Sequence, residues 1–245
     1  SLKDKTVFVS GGASGIGAQI VSAFAAQGAK VGFVDLDEKS SETLADSLGA
    51  DVGYELCDLR DIDAVRGAWA RLKARFGPAH VLVNNAGLSP LYESLASVTR
   101  ELWDKVIGVN LSGPYRLAAV VGERMAAADG GSIINVSSTA AVAPSGSELP
   151  YAIAKAGVHN LTKGLARVYA PKVRTNCIMP GPFLTDVSAA WTDEVKAELN
   201  AAVPMGRSGE PGEIIGAALY LASEASSYTN GAVIKVDGGM AYEAG

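Results

Sequence analysis

The sequence predicts a single doubly wound α/β domain, a seven-stranded parallel sheet flanked by helices on both faces. Three observations carry that prediction. Short β-branched runs alternate with longer stretches whose apolar residues recur at helical spacing. A glycine-rich turn follows the first run and opens the first helical stretch. No internal repeat, low-complexity tract or linker rich in Pro, Gly or Ser divides the 245 residues, so residues 1–245 are expected to form one unit.

In order, the runs are T-V-F-V-S at 6–10, K-V-G-F-V at 30–34, V-G-Y-E-L at 52–56, H-V-L-V-N at 80–84, S-I-I-N-V at 132–136, V-R-T-N-C-I at 173–178 and A-V-I-K-V at 232–236. Between the first two, Ile16, Ile20 and Phe24 fall on one helical face and Gly28 ends it; after the third, Val65, Ala68, Trp69, Leu72 and Phe76 do the same before Gly77-Pro78. Strands alternating with helices imply right-handed crossovers and a parallel sheet covered on both sides. The stretch from about 183 to 204 breaks the alternation and reads as a partly helical flap, placed where a substrate lid would sit.

With 48% hydrophobic and 19% charged residues, the chain can fill one large core. Its net charge of -5 argues against nucleic acid or an anionic membrane as partner and favours a small molecule. No apolar run is long enough to cross a bilayer and no signal pattern precedes the first strand, so a cytoplasmic location is expected. Cys57 and Cys177 lack metal-ligand spacing and read as buried free thiols, while His80 and His159 read as structural; no metal site is expected.

The chemistry must then come from other groups. In Y-A-I-A-K, Tyr151 and Lys155 stand one helical turn apart on the same face, and a cation beside a phenol favours the phenolate. That pairing would let tyrosine exchange a proton nearer neutrality than its ordinary pKa of about 10 permits. In S-G-G-A-S-G-I-G, Gly11, Gly15 and Gly17 let the backbone approach a pyrophosphate at a helix N-terminus. Asp35 ends the second strand eighteen residues beyond Gly17, where a carboxylate accepts hydrogen bonds from an adenosine ribose. Opposed unit charges of the same sign 4 Å apart cost roughly 4 kcal/mol at an effective dielectric of about 20, so a 2′-phosphate beside Asp35 is disfavoured. Ser14 and Leu36 flank the position and offer no compensating cation, and NAD is the expected cofactor.

These residues, with C-D-L at 57–59, N-N-A-G at 84–87, V-N-L at 109–111, N-V-S-S at 135–138, P-G-P-F-L-T at 180–185 and V-D-G-G-M at 236–240, resemble the short-chain dehydrogenase/reductase family over essentially the whole chain. The resemblance implies a Rossmann-type fold and a catalytic tetrad of Asn110, Ser138, Tyr151 and Lys155. Ser138 would hydrogen-bond the reacting oxygen, Tyr151 would exchange its proton, Lys155 would lower the Tyr151 pKa and hold the nicotinamide ribose, and Asn110 would anchor a water beyond Lys155. Ser137 competes for the serine role, and the family's thirteen-residue interval to the tyrosine selects Ser138. Implied cofactor contacts are Gly11, Ser14, Gly15, Ile16, Gly17, Asp35, Leu36, Asp58, Leu59, Asn85, Ala86, Gly87, Tyr151, Lys155, Pro180, Gly181, Phe183 and Thr185.

Departures from the family pattern are small: Ser10 stands where threonine is usual, and Pro150 precedes Tyr151 at the helix entry. The expected activity is NAD-dependent interconversion of a secondary alcohol and a ketone. Expected substrate walls are Ser138, Ala140, Leu149, Tyr151, Val187 and Trp191, with Ser89, Pro90, Tyr92, Val142 and Ala190 nearby, a largely apolar set suited to a hydrophobic substrate. Reduction of 3-oxoacyl-ACP is the alternative enzymatic reading, and a non-catalytic NAD sensor or scaffold the alternative of another class. The resemblance also implies a homotetramer.

Overall fold

Seven parallel strands in the order β3-β2-β1-β4-β5-β6-β7 build the sheet. The computed structural model describes residues 1–185, 188 and 192–241. The strands are β1 (Thr6–Ser10), β2 (Lys30–Asp35), β3 (Val52–Leu56), β4 (Val81–Asn84), β5 (Gly131–Val136), β6 (Val173–Pro180) and β7 (Val233–Val236). All seven expected runs form strands, so the fold class read from the sequence is the one observed. β6 runs two residues further than its β-branched run, because pairing with β7 continues to Pro180↔Val236.

Helices α1 (Gly15–Ala26), α2 (Glu38–Leu48) and α3 (Ile62–Phe76) connect the first four strands. Asp37 and Asp61 cap α2 and α3, accepting backbone N–H bonds from Ser40 and from Asp63 and Ala64 respectively. Between β4 and β5 the chain is helical over α4 (Arg100–Ile107), α5 (Gly113–Leu117) and α6 (Glu123–Ala127), interrupted by π turns at Gly108–Ser112 and Ala118–Gly122. The long α7 (Leu149–Val168) leads to β6, and α8 (Asp193–Ala202) and α9 (Ile215–Ala222) precede β7. Pro150 sits in the first turn of α7, where its missing N–H removes no helical bond.

Side chains alternate along each strand, so the sheet has a core on each face. On one, Ile20 and Phe24 of α1 pack with Phe33, Ile134, Ile214 and Leu221. On the other, Trp69 and Leu72 of α3 pack with Phe8, Leu82, Leu117, Ile133 and Leu165, and the rings of Phe8 and Trp69 meet edge-on at 4.7 Å.

The strand ends are held level by a buried polar row. Register aligns Ser10 with Asn84 and Asn84 with Asn135. The Asn84 Nδ2 donates to Asn135 Oδ1 at 2.8 Å, and the Asn135 Nδ2 donates to Thr162 Oγ1 of α7 at 2.9 Å. These contacts tie the ends of β4 and β5 to α7 at the carboxyl edge of the sheet, beside the point where the strand order reverses between β1 and β4. Asn135→Ala strands the buried Asn84 and Thr162 groups and is expected to cost about 2–4 kcal/mol in urea unfolding.

Candidate active site

The glycine loop after β1 is laced to the end of β4. Ser10 Oγ accepts from the N–H groups of Asn85 and Ala86 at 3.1 and 3.2 Å, so serine does here what threonine's hydroxyl would. The Asn85 Nδ2 donates to the Gly11 carbonyl at 2.8 Å. Gly11 has a φ of 65°, and a Cβ there would press on the Ala86 backbone. A Cβ at Gly17 would collide with the Gly11 carbonyl oxygen. Gly17 therefore lets helix and loop close up, while Gly11, Ser14, Gly15 and Ile16 reach the wall of a cavity of about 610 Å³.

That cavity fits a dinucleotide. It opens at the N-terminus of α1, whose first turn carries no acidic side chain, leaving the helix dipole to favour a pyrophosphate. Asp35, Leu36, Cys57, Asp58 and Leu59 line one end, and Asn85, Ala86 and Gly87 line the middle. Asp35 Oδ2 accepts from the Ala13 N–H at 3.0 Å, and its Oδ1 accepts from Leu36 and Asp37 at 2.7 and 3.2 Å. Asp58 is gripped by Arg60 through two donors, and that fork holds its carboxyl below the usual range. Among the described residues, Lys155 is the only Lys or Arg on the cavity wall, which also carries three acids, Asp35, Asp58 and Glu148.

At the far end, three of the four expected catalytic residues meet. Ser138 follows β5 and caps a short 3₁₀ turn, Thr139–Ala141, by accepting from the Ala140 N–H at 3.2 Å. It shares the cavity wall with Tyr151. Burial pushes the Tyr151 phenol up to about 12, opposed by Ser138 and reinforced by the charge of Glu148. The Lys155 ammonium lies 5.5 Å from the Tyr151 ring centroid and donates to the Val136 carbonyl at 2.9 Å. It is buried, and that burial pulls its pKa down to about 8. Burial is the largest cause at Tyr151, and the Lys155 ammonium is engaged by a β5 carbonyl.

Asn110 lies one layer deeper, fully buried in the first π turn and off the cavity wall. Its amide accepts from the Leu88 N–H at 3.2 Å and donates to the carbonyls of Leu88 and Val106 at 2.8 and 2.9 Å. A Cβ at Gly87 would fall 2.9 Å from Asn110 Oδ1 and 3.3 Å from Lys155 Nζ, so the glycine is what lets these two groups converge. Ser137, the competing serine, is buried with its Oγ 2.7 Å from His159 Nε2.

Pro180, Gly181, Phe183 and Thr185 line the cavity beyond β6, and Leu199 of α8 reaches it from the expected flap. The substrate end departs from expectation. Ser138 and Tyr151 are on its wall, but Ala140 is buried behind the 3₁₀ turn, and Leu149 instead faces a separate surface groove with Trp103 and Ile153. Leu149 opens α7 two positions before Tyr151, so the helical turn carries it to another face. Val187, Ala190 and Trp191 lie outside the described residues. Ser89 is on the wall; Pro90, Tyr92 and Val142 are not. In their place stand Leu88, Thr139, Glu148, Pro182 and Met240. Glu148 was legible only by its place three residues before Tyr151.

A family model described as enoyl-(acyl carrier protein) reductase matches residues 11–241. A D-threitol dehydrogenase of Mycolicibacterium smegmatis is 38% identical over 243 residues, covering 97% of this chain and 93% of that one. A 3-oxoacyl-[acyl-carrier-protein] reductase of Chlamydia trachomatis is 38% identical over 245 residues, covering 98% of both. The crystal structure of a 3-ketoacyl-(acyl-carrier-protein) reductase from Brucella melitensis, complexed with NADH, superposes with a TM-score of 0.92 at 30% identity, covering 99% of this chain and 100% of that one. The chain belongs to the short-chain dehydrogenase/reductase family. As a family member it is an NAD(P)-dependent oxidoreductase with a tyrosine-containing catalytic region. Solved relatives hold NADH in one case and NADP or NADPH in others. Among the described residues no helix is long and apolar enough to cross a membrane.

The buried Lys155 has a consequence for stability. Its pKa is about 8 in the fold and near the ordinary 10.5 in the unfolded chain, so between these values the unfolded chain binds more protons and stability rises with pH. Below pH 8 the fold must carry a buried ammonium at a cost of about 3 kcal/mol. Lys155→Met is expected to stabilise the ligand-free protein by up to that amount at pH 7, with the gain fading toward pH 10.5. Urea unfolding of both proteins at pH 7 and pH 10 measures it.

Proposed function

We propose that the protein interconverts a secondary alcohol and a ketone with NAD, using Ser138, Tyr151 and Lys155 as its reacting constellation. The observation that carries this reading is the convergence of Ser138, Tyr151 and Lys155 with the glycine loop on the wall of one cavity. In the oxidative direction the alcohol oxygen would sit between Ser138 and Tyr151 and pass its proton to the Tyr151 oxygen as phenolate, the tyrosine's own proton having left by way of Lys155. The nicotinamide supplies the hydride acceptor. In reduction the Tyr151 hydroxyl returns the proton while Ser138 donates to the oxygen as charge develops on it. Lys155, with a pKa near neutrality, would hold ribose hydroxyls and relay the tyrosine proton inward, toward Asn110 and the π turn.

NAD rather than NADP is proposed because Asp35 faces the adenosine end and no Lys or Arg lines that end among the described residues. The stretch around α8 is proposed as the substrate flap, since Leu199 reaches the cavity from it. The expected homotetramer is part of the same reading: Trp103, Leu149, Pro150 and Ile153 form an apolar surface groove on α4 and α7, which packing against another copy of the chain would cover. An apolar substrate is not carried forward, because the wall that suggested it lies partly elsewhere and a carboxylate stands in its place. Reduction of a 3-oxoacyl thioester is kept as a second reading on the similarity to the chlamydial reductase, and initial rates with both substrate classes separate the two.

Tyr151→Phe removes the exchangeable proton and keeps the ring. It is expected to lower kcat at least 100-fold while NADH binding, read by fluorescence titration, stays within a few-fold. Retained turnover would sink the mechanism. For the cofactor, kcat/KM with NAD should exceed that with NADP by one to three decades, and Asp35→Asn should narrow that ratio at least ten-fold.

A further inference from the structure

We infer that Glu148 is the specificity-determining acceptor for a hydroxyl next to the reacting carbinol, so that the substrate is a polyol or the corresponding hydroxyketone. The inference rests on the proposed oxidoreductase reading and names the substrate of that same site. Glu148 is the residue before α7, three positions ahead of Tyr151, and both line the cavity with Ser138. One helical turn brings positions three apart together, and the Glu148 charge is felt at the Tyr151 phenol. The residue does not spend its side chain on capping α7, for it makes no cap hydrogen bond there.

The chain that carries Glu148 is held rather than loose. The Tyr92 hydroxyl donates to the Gly146 carbonyl at 2.6 Å and accepts from the Leu149 N–H at 2.8 Å, pinning the chain on both sides of Glu148. A carboxylate offers about four lone-pair sites, and on the cavity wall those sites can accept from ligand donors. Burial already disfavours its charge. An apolar ligand would deepen that burial and leave those sites unpaired, whereas vicinal hydroxyls would fill them. A second carboxylate would be repelled, and an ammonium would share the cavity with Lys155. A site built around a substrate hydroxyl rejects the analogue that lacks it far more strongly than an apolar pocket rejects a polar one.

The test is NAD- and NADP-linked oxidation of four-carbon tetritols of both configurations, butan-2-ol, 3-hydroxybutyrate and 1-aminopropan-2-ol, by wild type, Glu148→Gln and Glu148→Leu, with NADH-bound thermal melts to verify folding. The expected result is a kcat/KM at least ten-fold higher on a tetritol than on butan-2-ol in wild type. That ratio should fall at least ten-fold in Glu148→Leu and less in Glu148→Gln, whose amide oxygen still accepts. A smaller wild-type preference, a ratio that Glu148→Leu leaves in place, or a preference for the amino alcohol or the acid would overturn the inference while leaving the oxidoreductase reading intact. No turnover of any of these alcohols with either cofactor would overturn both.

Discussion

The lateral alignment of the parallel strand ends is the constraint on which the rest of the protein depends. The glycine loop, Asn85 to Gly87, Ser138 and Gly181 each follow a strand end directly, and their positions are inherited from that strand's register. The Asn84–Asn135–Thr162 bonds and the grip of Ser10 on Asn85 and Ala86 fix this edge from inside. Buried amides paired in this way resist slippage, because moving one strand by a residue would leave each of them unsatisfied. The edge is thereby rigid enough for a dinucleotide to lie across it and for Ser138 to meet Tyr151 from a different element.

Desolvation sets the electrostatics of the site. Tyr151, Lys155 and Glu148 all titrate away from their ordinary values, and in each case burial is the largest cause. Burial therefore shifts all three in the direction of their neutral forms. A phenol held near 12 and an amine near 8 are poised in opposite senses, the amine being the group that exchanges protons near neutral pH. The deep position of Asn110 fits the same picture. Leu88 and Val106 take three of the amide's four hydrogen-bonding sites, which holds the loop carrying Gly87 and the π turn next to Lys155.

Much of this was legible in the sequence, and for physical reasons. Period-two and period-3.6 patterns are imposed by burial on one face, so the seven strands could be placed to within two residues and the buried faces of α1 and α3 could be read. Gly11, Gly15 and Asp35 could be placed because a tight phosphate turn and a ribose contact need those residue types at that spacing. Gly17 was read as a cofactor contact, yet it is a packing contact, since sequence spacing does not say which side of a helix the loop closes upon. Ala140 and Leu149 were misplaced for a related reason: neighbours of catalytic residues in the chain turn away from them within a 3₁₀ turn or the first turn of a helix.

The sequence by itself determined the fold class, the cofactor loop and the candidates for the residues that carry chemistry, because each depends on local pattern or on residue type at a fixed interval. Only the tertiary structure decided the electrostatic state of Tyr151 and Lys155 and the polarity of the substrate end. Both depend on how much water is excluded and on which loops converge, and Ser89, Glu148, Leu199 and Met240 come together from stretches of chain that share no local pattern.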